Sequence, residues 1–180
     1  MLPALVLLAW PFAVYWGLRE LPARTVALVL LAVLLLRLIA SGVASGGSRA
    51  AFVLGAALAV LAAVGDAALP LKLYPVAVNA ALLGAFAGSL WRGPPLVERM
   101  ARLRESALGP EAVAYCRAVT QAWCVFFVGN GTIALTTALA ASDETWLLYN
   151  GVIAYLLIAA MFAGEWLLRR RLRRSWSVHG

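Results

Sequence analysis

The chain has 180 residues, 64% of them hydrophobic, and a net charge of +7 from 15 Lys+Arg against 8 Asp+Glu; its mean hydropathy is +0.89. A soluble domain is about half apolar, and a chain this short cannot bury such a surplus in one water-soluble core, so the excess is expected to face lipid. The arginines stand beside apolar runs, which points to anionic head groups rather than nucleic acid as the partner of the basic charge.

Six apolar runs follow one another: 2–18, 21–40, 50–69, 71–91, 119–141 and 146–168. Each is near the ~20 residues that a helix needs to cross the hydrocarbon. The expected fold is all-α, a polytopic bundle of about six transmembrane spans forming a single domain over 1–168. The first run has no basic residue before its apolar stretch and no small-residue cleavage site before Arg19, so it reads as a retained span and not a signal peptide. Pro11, in its middle, should kink it. Arg37, near the end of the second run, is placed to snorkel to the head groups. The third and fourth runs would merge but for Asp66, Pro70 and Lys72, which mark a tight turn with Asp66 and Lys72 facing water. The fourth run carries Asn79 and the pair Gly84 and Gly88, whose four-residue spacing suits close helix packing.

Pro94 and Pro95 stop the fourth helix, and Leu96, Val97, Met100 and Leu103 then recur at helical spacing. An amphipathic cytoplasmic segment over 96–105 is expected to lie in the membrane interface, with Arg99, Arg102 and Arg104 off the apolar stripe and available to head groups or a cytoplasmic partner. The alternative is a solvated basic loop. Gly109 ends this segment, and Pro110 with Glu111 reads as the first turn of a helix that starts well before it enters lipid.

On that fifth helix Gln121 falls on one face with Arg117 and Thr132, while Asn130 points nearly opposite with Trp123 and Thr137. Two polar faces suggest a helix packed on both sides. Asn150 lies in the sixth run. Polar groups within spans are costly unless they face protein or water, so Asn79, Gln121, Asn130 and Asn150 are either a polar cavity or interhelical glue. Cys116 and Cys124 are eight residues apart on one helix, ~12 Å of rise and too far for a disulfide. Glu165 stands four before Arg169, an expected i,i+4 pair. The segment 169–180 reads as a basic cytoplasmic tail.

The loop charges orient the bundle. With six alternating helices one side holds 12 basic residues, Arg37, Arg49, Arg92, Arg99, Arg102, Arg104, Arg117, Arg169, Arg170, Arg171, Arg173 and Arg174, and the other holds Arg19, Arg24 and Lys72 with Asp66, Asp143 and Glu144. This bias places both termini in the cytoplasm. A faint echo also links the two halves. Leu73-Tyr74 leads to Phe86-Ala87-Gly88, and Leu148-Tyr149 leads to Phe162-Ala163-Gly164, with the frame slipping by one residue. A duplicated hairpin or ordinary interfacial aromatic belts would each produce it.

The only histidine is His179, and there is no phosphate-binding glycine loop, dinucleotide fingerprint or acidic cluster within a span. No enzyme, cofactor or metal is therefore expected.

The stretches 72–79 (KLYPVAVN), 97–104 (VERMARLR), 117–127 (RAVTQAWCVFF), 148–155 (LYNGVIAY) and 164–166 (GEW) resemble a family of small bacterial inner-membrane proteins. The likeness covers roughly 70–170. Members of that family look to be encoded beside acyl carrier proteins and ketosynthase-like enzymes in clusters making aryl-polyene or xanthomonadin-type pigments. The resemblance implies a place in the bacterial inner membrane and a role near a lipid-like polyene. It transfers no residue-level activity. Two readings follow: a protein that binds or helps to translocate a lipid-like polyene or acyl product, or a scaffold whose arginine-rich face recruits soluble acyl carrier or synthase proteins. Membrane lipids are partners in either case, and an oligomer is compatible with both.

Overall fold

A computed structural model describes the backbone over 2–41, 46–104 and 108–176, and the side chains over 9–34, 53–104 and 108–171. All secondary structure among the described residues is helical. The helices are α1 (Leu2–Glu20), α2 (Ala23–Ser41), α3 (Gly46–Gly65), α4 (Leu69–Lys72), α5 (Tyr74–Trp91), α6 (Leu96–Arg102), α7 (Pro110–Ala140), α8 (Asp143–Leu148) and α9 (Ala154–Trp176), with a π-helical segment, Tyr149–Ile153, joining α8 to α9 in one continuous rod. Among the described residues three helices are long and apolar enough to cross a membrane: Tyr74–Trp91, Pro110–Ala140 and Asp143–Arg171. Shorter apolar helical stretches, Ala23–Leu34 and Val53–Gly65, lie in α2 and α3. These helices turn large apolar side chains outward, Val64, Val125, Leu139 and Leu156 among them, a surface compatible with a membrane location.

Local chemistry explains the boundaries. Pro110 opens α7, where its missing N–H costs nothing, and Glu111 complements the helix dipole. Ser142 caps α8 by accepting from the Thr145 N–H, with Asp143 and Glu144 in the first turn. Asp66, at φ +46, turns the chain out of α3, and Pro70 starts the four-residue α4, so the expected turn between the third and fourth runs is present as a short helix. α1 runs through Pro11. α7 extends ~46 Å, more than the ~30 Å hydrocarbon thickness, so part of it stands outside any bilayer it crosses. α9 continues to Trp176; the first part of the expected tail is helix. The side chains of Arg37, Arg49, Arg173, Arg174 and His179 lie outside the described residues.

The bundle is organised around α5 against α7. The buried face of α7, Cys116, Thr120, Trp123, Phe127, Asn130, Ala134 and Ala138, repeats every three to four residues as a single packed stripe. α3 packs beside α5 and pairs with α2, while α1 lies against α2, α4, α8 and the π segment. The main core gathers Trp10, Val14, Val26, Ala27, Leu30, Leu34, Ala62, Leu71, Tyr74 and Trp146. A second cluster, Trp123 with Phe86, Phe126, Phe127 and Phe162, joins α5, α7 and α9. Gly84 and Gly88 have no described atom within 4 Å of where a Cβ would stand, so within the chain this pair does not support the close packing that its spacing suggests.

Candidate functional site

The polar groups within the apolar helices come together in the middle of the bundle. Asn130 of α7 donates from Nδ2 to Asn79 Oδ1 of α5 at 3.0 Å, and its own Oδ1 accepts from the Tyr149 hydroxyl at 2.9 Å. Asn79 Nδ2 in turn donates to the Pro75 carbonyl of its own helix at 2.8 Å. Gly131 makes room for this pairing: a Cβ there would stand 3.1 Å from Asn79 Cβ. Asn150 donates to Thr137 Oγ1 at 3.1 Å and to the Trp146 carbonyl at 3.0 Å. The three amides are almost fully enclosed, between 3% and 8% exposed, so each retained bond matters: an unmade one would be stranded away from water.

Of the four expected amides, the structure joins Asn79 directly to Asn130 and ties Asn150 to the same helix two turns away. Gln121 is a correction. It is exposed, as is Thr132, so α7 has one packed face rather than two. The hydroxyls on the open face answer to their own helix, Thr132 to the Val128 carbonyl and Thr136 to the Thr132 carbonyl, and so present only methyl groups and spent hydroxyls outward. Tyr149 is the member that sequence reasoning missed, since a tyrosine near a helix start reads as an interfacial belt residue. Amides and phenols are uncharged near neutral pH; this network holds α5, α7 and the π segment together and offers no general acid or base at neutrality. Among the described residues no three His, Cys, Asp or Glu side chains are grouped as a metal ion would need.

Charge is divided between the two ends. At one end, Arg19 lies 3.7 Å from Glu144, Lys72 pairs with Asp143, and Asp66 accepts from the Arg24 backbone N–H at 2.8 Å. The residues assigned to one side from loop charge thus meet one another. Lys72 does not face water as expected: its side chain is 16% exposed, because the Lys72 carbonyl accepts from the Trp146 indole and draws α4 under α8. At the other end Glu98 pairs with Arg102 and Glu165 with Arg169, the second as its spacing predicts. The Tyr115 hydroxyl donates to the Glu165 carbonyl across the α7–α9 gap at 3.2 Å.

The expected amphipathic segment is helical over Leu96–Arg102. α6 turns Glu98 inward, 4% exposed, while Met100 and Leu103 stand 62% and 87% exposed; Leu96 and Val97 are half-buried. The apolar stripe is therefore split between the bundle and the outside. Arg99 donates to the Pro94 carbonyl, Arg102 holds Glu98, and Arg104 is exposed. Comparison with protein-family models, curated proteins and solved structures finds no match to this chain, so its function is argued from these residues.

Proposed function

We propose that this chain is a non-enzymatic bacterial inner-membrane protein of six spans (α1, α2, α3, α5, α7 and the α8–α9 rod), with both termini in the cytoplasm, which binds or helps to translocate a lipid-like polyene or acyl product. The split of charge supports the orientation: at one end Arg19 and Lys72 pair with Glu144 and Asp143, whereas the other keeps Arg92, Arg99, Arg104, Arg117, Arg170 and Arg171 exposed, as the cytoplasmic side of a membrane protein does.

The observation that carries the ligand reading is an apolar groove between α1 and α2, about 100 Å³, lined by Ala13, Gly17, Leu21, Val26, Val29 and Leu30. Ligand pockets usually measure ~300–1,000 Å³, so this groove would hold only part of a lipid-like molecule. A second reading, a scaffold that recruits acidic acyl carrier or synthase proteins, is favoured by the exposure of Arg99 and Arg104.

One experiment separates the two readings. Ala13→Phe fills the groove, and Arg99→Gln with Arg104→Gln strips the basic face. In a strain lacking the gene and complemented with either variant, the product is extracted and quantified by membrane leaflet. The ligand reading expects Ala13→Phe to alter its distribution at unchanged protein level. If only the arginine variant does so, and it also fails to retain an acyl carrier protein in a pull-down, the scaffold reading replaces it.

A further inference from the structure

We infer that the elbow between α5 and α6, from Trp91 to Arg104, is a binding surface for anionic phospholipid head groups. The inference rests on the membrane-spanning reading above and adds a named surface and partner.

The elbow is built, not loose. The Ser89 hydroxyl, 5% exposed, donates to the Phe86 carbonyl at 2.7 Å and accepts from the Leu96 N–H at 2.9 Å. This one side chain satisfies an open donor at the start of α6 and fastens it to the last turn of α5. Gly93, at φ +127, reverses the chain between them, a backbone conformation that favours glycine. The rotation of α6 is then set by Glu98, which is buried against α7 and held by two guanidinium nitrogens of Arg102 at 2.7 and 2.8 Å. A carboxylate turned inward forces its neighbours on the opposite face outward.

What faces outward has the chemistry of a bilayer interface. Trp91 is 86% exposed, Met100 62% and Leu103 87%. Arg92, Arg99 and Arg104 are interspersed with them and exposed. Among the described residues neither Arg92 nor Arg104 pairs with a carboxylate, and Glu98 and Glu165 are held by Arg102 and Arg169. α5 spans ~27 Å, close to the ~30 Å hydrocarbon thickness, so a membrane-spanning α5 brings Trp91 to head-group depth, where tryptophan is enriched. An acidic soluble partner would complement the arginines but leave Leu103 and Trp91 without an apolar counterpart; an anionic leaflet satisfies both.

The test uses the full chain, purified in detergent, titrated with mixed micelles carrying phosphatidylglycerol or phosphatidylcholine, with inorganic phosphate and an acyl carrier protein as further probes. The parent is expected to prefer phosphatidylglycerol, and Arg92→Gln with Arg104→Gln to lower that preference roughly tenfold or more at unchanged helix content, since an interfacial arginine contributes about fivefold. Met100→Ser with Leu103→Ser should weaken binding of both lipids and preserve their ratio. Equal affinity for the two lipids overturns the inference, as does inorganic phosphate competing at the same concentration as the lipid. Saturation by the acyl carrier protein without any lipid preference overturns it in favour of protein recruitment. Failure of the membrane reading shows separately, as release of the chain from membranes by alkaline extraction.

Discussion

Asn130→Leu is the most informative single change in the bundle. It removes two hydrogen bonds, to Asn79 at 3.0 Å and from Tyr149 at 2.9 Å. Interhelical bonds of this kind average about 0.6 and reach about 1.7 kcal/mol, so the pair contributes about 1–3 kcal/mol. The change also strands the Tyr149 hydroxyl and the Asn79 carbonyl, both in residues only 8% exposed, at a further cost of about 1–3 kcal/mol for a buried polar group left unmatched. Leucine returns some of this through apolar contact, for a net loss of about 2–4 kcal/mol. Equilibrium unfolding in mixed micelles, driven by SDS and followed by circular dichroism, reads that loss. Adding Tyr149→Phe removes one stranded group, so the double variant should be destabilised by about 1 kcal/mol less than the sum of the singles. A single variant within about 0.5 kcal/mol of the parent, or strictly additive changes, would refute the network as the tie between α5, α7 and the π segment.

Three other outcomes are expected. A reporter fused after His179 should report the cytoplasm and one inserted at Ser142 the opposite side; a C-terminal fusion active only in the periplasm overturns six spans. Gly151→Ala places a Cβ 3.1–3.2 Å from Leu147 and the Phe12 ring, which should cost about 1–3 kcal/mol of overpacking, measured by thermal unfolding and partly recovered by Phe12→Leu. Ser89→Ala should free the start of α6, at about 1 kcal/mol, and admit protease between residues 92 and 104; unchanged resistance means that Glu98 and Arg102 alone hold the elbow.

The helices were legible because apolar runs bounded by Gly, Pro and charge leave few alternatives, and 110 as the start of α7 followed from Gly109 and Pro110. The pairing of Asn79 with Asn130 was legible as cost, since a polar group in an apolar run must find a partner, but its geometry depended on the missing side chain at Gly131. Gln121 misled because a helical wheel shows which residues share a face but not which face is packed, and only the buried amide needs a neighbour. Glu98 was hidden for the opposite reason: an acidic residue among arginines reads as solvated until its guanidinium partner lets it turn inward. Ser89 carried no signal, as its role depends on a chain reversal seven residues long.

The π segment gives the α8–α9 rod a vernier. Tyr149, inside the π segment, bonds Asn130, and Phe162 beyond it meets the Trp123 ring at 4.9 Å. A π turn takes up one residue more than an α turn, so the segment holds one residue beyond what α geometry would place between these two contacts. Chain length is therefore negotiable at one place in this rod. Deleting Val152 would let 149–153 close as ordinary α-helix with Tyr149 still on Asn130 and Phe162 still on Trp123, whereas deleting a residue lower down would turn everything beyond it by ~100° and carry Glu165 away from Tyr115.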